Sequence, residues 1–439
     1  MSGNAFYGGD EVSAIVIDPG SKWTRIGFSG EDIPKCVLPS NYGEFENGRR
    51  LFGEEYIYQP HKGMEIKRSI SNGWIQHWDA TLDLWQYALK ERLKTDPVEH
   101  PILVTEPFDN PSENRVKTLE MVFESLGSPA TYLARQETCA AFASGKGTAC
   151  LIDVGYDRAS VSAIHDGFVL QKPYNVQQFA GAALDEIIAG TLGQKGYETT
   201  PKYLVRSKHP VGIGEPPKYE RANVEATESF HRFQLERVYD EWKEECALTS
   251  DVPFDSNGTI IDSEFEFPDG ARVVFGADRY QIPERLFKPS EDTTMDEQDD
   301  ENENGKDEDK DEDEDDEEKK GTNNQVTKGT LGLSQLFQNC ISECDVDIRN
   351  SLFNNIVVCG GTSLLQGFSF RLQNDLSKIY PGNRLKIHAS GHIIERSYAS
   401  WLGGSILSSL GTFHQLWISR QEYDEHGADR LALIEKRCK

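Results

Sequence analysis

Short apolar runs alternate with stretches of helical period along this chain. Val12 to Ile17 reads as a strand that ends in the turn signal Asp18-Pro19-Gly20-Ser21, and Trp23 to Phe28 resumes as its partner. Ala80 to Leu93 carries Leu82, Leu84, Trp85, Ala88, Leu89 and Leu93 at helical spacing. Pro101 to Thr105 reads as a buried strand. Glu113 to Leu126 reads as a helix, with Ser112 as its N-cap and Gly127 as its stop. The opening pattern then returns: Ala149 to Asp153 is a strand, Val154-Gly155-Tyr156-Asp157 turns, and Ala159 to His165 leads back. Ile17-Asp18-Pro19-Gly20 is thus echoed by Ile152-Asp153-Val154-Gly155. One Asp-x-Gly hairpin is ordinary. Two in register, each opening a half of the chain, predict a duplicated α/β architecture facing a shared cleft. Later, Asn355 to Cys359 is an apolar strand running into Gly360-Gly361-Thr362-Ser363, and a helix is expected over Phe368 to Ile379.

A length of 439 residues suits two or three domains, and 37% hydrophobic residues suffice for a real core. No apolar run approaches a membrane span, and the first residues lack a secretory signal pattern, so neither a membrane nor an export route is expected. The eight cysteines are scattered without C-x-x-C pairs and read as buried small residues or free thiols. The net charge of -27 is unevenly spread: Glu291 to Lys320 holds 19 acidic and 4 basic residues, a local charge of -15. That run lacks the apolar surface to order itself, so it reads as a disordered insertion, a contact for basic partners such as histones, or a mimic of polyphosphate. The remaining body, at -12, argues against general nucleic-acid binding.

Two hairpin tips from separate domains can clamp a triphosphate with backbone N–H groups. Ser21 can add a hydroxyl and Arg25 a fixed positive charge. Asp18 and Asp153 at the cleft floor suit the water shell of Mg²⁺; taken singly, each is as well explained as a turn cap. Gly360-Gly361 lets backbone approach a ligand. Neither a P-loop nor a Rossmann glycine motif is present.

The C-terminal part is more specific. Glu395-Arg396-Ser397-Tyr398, Trp401 to Leu410, and Thr412 to Glu425 resemble the C-terminal signature of the actin family, and His100 to Pro107, Asn114-Arg115 and Cys344 to Arg349 extend the likeness. It covers nearly all the chain outside Lys195 to Phe233 and the acidic run. The opening Tyr7 to Val12 and the stretch Trp401 to Trp417 are similar to nuclear actin-related proteins. The resemblance implies an actin-like ATPase fold, with duplicated ribonuclease H-like domains around a nucleotide cleft and four subdomains. It divides the chain into an outer domain of 1–39, 69–143 and 399–439, a second subdomain of 40–68, an inner domain of 144–179 and 329–398, a fourth subdomain of 180–289, and the acidic insertion 290–328.

Carried over by resemblance, ATP and Mg²⁺ are expected at Asp18, Gly20, Ser21, Lys22, Arg25, Asp153, Gly155, Tyr156, Asp157, Gly181, Lys243, Glu244, Gly360, Gly361, Thr362 and Leu365, with Asp18 and Asp153 reaching the metal through water. Gln136 matches the glutamine that orients the attacking water. Three departures stand out: Ser160 replaces the family's catalytic histidine, Lys22 a phosphate-loop glycine, and Ser397 a lysine near the adenine. The stretch between Pro39-Ser40 and Gly53-Glu54 is shorter than in actin, and the acidic run lies where actin has an apolar plug. Filament contacts are therefore compromised, and at most very slow hydrolysis is expected. The resemblance implies a nuclear, non-polymerising subunit of chromatin-remodelling and histone-acetyltransferase complexes, pairing with monomeric actin on a scaffold helix, with histones or nucleosomes as further partners. The rivals are a polymerising or filament-capping actin-like ATPase and a sugar-kinase-like or Hsp70-like enzyme. A partner groove is implied at Phe142, Ala143, Gly145, Leu402, Ile406, Leu407, Leu410 and Leu416; the spacing of Leu402, Ile406 and Leu410 alone is equally that of a buried helical face.

Overall fold

The computed structural model describes residues 13–289, 330–427 and 429–438. The acidic run Glu291 to Lys320 and the Tyr7 to Val12 match lie outside the described residues.

The repeated hairpins build two six-stranded sheets. In the first, the spatial order is Ile418–Ser419, Ala130–Arg135, Ile102–Glu106, Ile15–Pro19, Trp23–Phe28, Cys36–Pro39. In the second it is Phe168–Val169, Ala159–His165, Ala149–Val154, Ile356–Cys359, Ile387–His388, with Asn175–Gln177 also pairing with Ala159–His165. The topology is duplicated. Each hairpin is antiparallel and aligns its aspartate with a residue of the return strand, Asp18 with Arg25 and Asp153 with Ser160. Each leading strand then pairs in parallel with a later one, Ile15 with Ile102 and Cys150 with Ile356. Strands buried on both faces read as continuous apolar runs, which is why Ile15–Pro19 and Ile356–Cys359 lack alternation.

Each sheet carries its own core. Trp85, Phe123 and Trp401 pack with the first, and Trp242, Phe267, Phe337 and Phe368 with the second. The two are joined by a small apolar seam that includes Ala140, Ala141, Val357 and Ala399. Two helices form that seam, Gln136–Ala143 between the sheets and Ala399–Ser409 on the return. They approach so closely that a Cβ on Gly403 would overlap the carbonyl of Cys139, and glycine is what permits the contact. All eight cysteines are buried free thiols, as their scatter implied.

The expected elements differ from the observed ones at their ends. The first strand begins at Ile15. Ser112 is the first residue of its helix and not the cap; Pro111 takes the cap position without a side-chain bond. Both early helices relax into π-helical turns, Ala88–Leu93 and Met121–Ser125. The glycine pair leads into a short 3₁₀ turn, Gly361–Leu364, while the Phe368–Ile379 helix starts after Gly367.

Candidate functional site

A cleft of about 810 Å³ lies between the two sheets. The two hairpin tips and the Gly360-Gly361 turn line it, together with the Glu228–Glu245 helix. Asp18 is buried at its floor. Its Oδ1 accepts from the Thr105 hydroxyl at 2.5 Å and from Gln136 Nε2 at 3.3 Å, and its Oδ2 accepts from Arg25 Nη1 at 3.0 Å. Thus Asp18, Arg25 and Gln136, which are far apart in sequence, form one cluster. Arg25 Nε is buried and has no hydrogen-bond partner among the described residues.

Asp153 is the counterpart on the second sheet, and its environment is different. Burial pushes its carboxyl above the usual range, Arg158 opposes the shift, and no ion pair to Asp153 forms among the described residues. Gly360 sits directly behind it with φ +88°, where a Cβ would overlap the Asp153 carboxylate and the Val154 carbonyl. A Cβ on Gly361 would meet no atom within 4 Å, so any side chain there would project into cleft space. Thr362 Oγ1 donates to the Gly155 carbonyl at 2.6 Å and ties this turn to the second hairpin tip. A half-buried carboxylate without an ion-pair partner among the described residues, an arginine with a donor unpaired among them and glycine-walled backbone form a site that fits a magnesium-bound polyphosphate.

The structure brings together Asp18, Gly20, Ser21, Lys22, Arg25, Gln136, Asp153, Gly155, Tyr156, Asp157, Lys243, Glu244, Gly360, Gly361, Thr362 and Leu365 as cleft lining, with Ser160 among them. Gly181 does not line the cleft. It lies behind Thr362 and Tyr156, and its carbonyl accepts from Lys243 Nζ at 3.3 Å. Lys243 is itself half-buried in an ion cluster, 2.6 Å from Asp185 and 3.0 Å from Asp240. Lys22 is committed across the cleft to Asp240. The Asp157 carboxylate accepts from the Asn72 N–H at 2.8 Å and lies 3.4 Å from Arg68. Desolvation at the cleft wall raises the Glu244 carboxyl, to which Asp240 adds. Ser397 stays on the cleft wall, its hydroxyl donating to the Ile393 carbonyl at 2.6 Å.

Several residues in this site escape a linear reading. The hairpin Ile70–Ser71/Trp74–Ile75 turns on Asn72-Gly73, both with positive φ, the signature of a type I′ turn. Its tip touches both halves of the cleft: Gly73 N–H donates to Ser21 Oγ at 3.1 Å, and Arg158 Nη1 donates to the Asn72 carbonyl at 3.1 Å. The Asn-Gly pair was the signal that could have found it. Glu137 also lines the cleft, fully buried. Burial pushes its carboxyl up to about 7, against the Phe108 N–H bond and the charges of Arg158 and Arg135. Nothing in the sequence distinguishes that glutamate from a solvent-facing one.

The residues expected to form the groove lie on the two seam helices, Gln136–Ala143 and Ala399–Ser409, or in the segments that follow them. Phe142, Ala143, Leu402 and Leu407 are half-buried, while Gly145, Ile406, Leu410 and Leu416 are exposed. Leu410 is 45% exposed. The alternative of an ordinary buried helical face therefore does not hold for the outer positions.

The actin family's sequence profile matches residues 9–439. The chain belongs to the actin family. Within it, the chain falls among the actin-related protein 4 group. It is 70% identical over 436 residues to "Actin-related protein 4" of Schizosaccharomyces pombe, covering 99% of this chain and 100% of that protein. It is 38% identical to the same organism's "SWI/SNF and RSC complexes subunit arp42", covering 98% of this chain and 100% of the relative. The "Actin-related protein 4" of Arabidopsis thaliana is 33% identical, with 98% and 100% covered. The duplicated sheets around one cleft are the actin-like fold this membership entails.

Proposed function

We propose that this actin-family chain is a nuclear, non-polymerising subunit of chromatin-remodelling and histone-acetyltransferase complexes, holding ATP and Mg²⁺ as a structural ligand. The observation that carries the nucleotide part is the pair of equivalent hairpins, each placing an aspartate, buried Asp18 and half-buried Asp153, on the lining of one cleft from a different sheet. The relative named as a SWI/SNF and RSC subunit supports the assignment to chromatin complexes. In this reading Asp18 and Asp153 hold the metal's water shell, Arg25 directs its unused donor to the phosphates, and the tips around Gly20 and Gly155 donate backbone N–H groups. ATP bridges an outer unit (1–39, 69–143, 399–439) and an inner one (144–179, 329–398), with 40–68 and 180–289 above it, and fixes their closure. The partners are monomeric actin and a helical scaffold segment of a large subunit, with histones or nucleosomes at the acidic segment 290–328. Affinity purification of the tagged full-length protein should recover actin and a large remodeller or acetyltransferase subunit. The purified chain should stay in the supernatant when centrifuged with Mg-ATP; pelleting as filaments would overturn the reading.

Hydrolysis should be very slow in this site. Ser160 stands opposite Asp153 on the return strand, buried and facing the cleft. Its hydroxyl does not take up a proton at neutral pH, so an attacking water oriented by Gln136 lacks a proton acceptor there. The Ser160→His variant should release phosphate about tenfold faster or more in single-turnover assays. Equal rates in the two proteins would remove Ser160 from the explanation.

A further inference from the structure

The Glu228–Glu245 helix presents one face to the small sheet that carries Glu65–Arg68 and, further along, to the first hairpin tip. Near its start, Ser229 Oγ accepts from the Ile66 N–H at 2.9 Å. About two turns on, the Arg237 guanidinium lies 3.7 Å over the Tyr58 ring. On the same face Glu236 accepts from Arg68 Nη2 at 3.0 Å. The next turn puts Asp240 against Lys22 of the first hairpin tip. Positions 229, 236 or 237, and 240 share a face because helical neighbours recur every three to four residues. Tyr156 of the second tip joins the two ionic rungs: its ring lies 4.5 Å from Lys22 Nζ and 5.0 Å from the Arg68 guanidinium, and its hydroxyl accepts from Arg68 at 3.2 Å.

We propose that this helix face is a latch, in which Lys22–Asp240 and Arg68–Glu236 hold the mouth of the cleft shut in the protein alone. Both rungs join the chain's own elements and need no third body between them. Burial by itself would raise the Asp240 carboxyl, yet Lys22 and Lys243 hold it below its usual value. Burial would likewise weaken the charge on Arg68, yet Glu236, Tyr156 and Asp157 outweigh it. The four charged side chains of the rungs remain 22–30% exposed, so dissolved salt reaches them and weakens the latch. If the cleft holds a nucleotide as proposed above, that nucleotide exchanges only when both rungs part.

The test uses hydrogen exchange in the full-length protein, with and without nucleotide, the latter stripped by EDTA and apyrase. The Ile66 amide reports opening, and amides of Ile102–Glu106 report that the core stays folded. In the wild type, Ile66 should be equally protected with and without ATP. In Glu236→Gln/Asp240→Asn, exchange at Ile66 in stripped protein should rise about tenfold, the sum expected of two partly exposed ion pairs. Reversing one rung, Lys22→Asp with Asp240→Lys, should restore protection. Stripped wild type that exchanges as fast as the double variant would overturn the latch, as would a double variant protected like wild type. A second arm chases a bound fluorescent ATP analogue with excess ATP: the double variant should release it about tenfold faster, and wild type in 1 M KCl should approach that rate. Protein that never takes up the analogue, yet keeps Ile66 protected, supports the latch and sinks only the nucleotide reading.

Discussion

The Asp153→Ala variant should emerge from purification without bound nucleotide and melt at a lower temperature than wild type. A ligand present at about a thousandfold above its Kd stabilises the fold by about 4 kcal/mol, and the variant forfeits that gain. The sign reverses in nucleotide-free protein. Asp153 is a half-buried carboxylate without an ion-pair partner among the described residues, and desolvation raises its pKa. Such a group costs stability in the absence of a cation. The stripped variant should therefore be as stable as stripped wild type, or more so. Thermal melts of both proteins, each with and without Mg-ATP, give four curves that separate a ligand-holding aspartate from a structural one. A variant destabilised equally in both conditions would show that Asp153 supports the fold and does not hold a ligand.

Leu410→Asp should abolish recovery of the scaffold subunit and actin while leaving the protein folded. Leu410 is 45% exposed at the end of the Ala399–Ser409 helix, so the free chain accommodates a carboxylate there in water. A negative charge at a helix C-terminus costs only a few tenths of a kcal/mol to about 1. The same charge buried against an apolar partner helix, without a counter-ion, costs on the order of 3 kcal/mol, roughly a hundredfold in Kd. A groove offering Leu402, Ile406, Leu410 and Leu416 suits a helix with anchors at i, i+3, i+4 and i+7. Co-precipitation and nucleotide content, measured together, decide the matter. Full partner recovery with well-folded variant protein would eliminate the groove as the docking site.

The duplicated hairpins were legible in the sequence because their signal is local. An apolar run that must be buried on both faces, closed by Asp-x-Gly, has few other ways to fold. Trp23–Phe28, Ala159–His165 and Phe368–Ile379 accordingly appear with the bounds their patterns predict. The actin-family signature, from Glu395 onward, was equally plain as a string of residues. Element ends were not, since Pro111 in place of Ser112 and the π-helical turns after Tyr87 and Glu120 depend on what the helix packs against. Which polar side chains meet across the cleft was beyond the sequence. Lys22 and Asp240 are 218 residues apart, and Lys22 could as well have reached a phosphate as a helix. Glu137 and Arg158 carry no local mark of burial; only the packing of two sheets takes water from them and shifts the Glu137 carboxyl. The outer groove positions were ambiguous for the same reason. A four-residue apolar period states that a helix has an apolar face, while the neighbours that cover that face, or leave Ile406 and Leu410 open, are set by the tertiary fold.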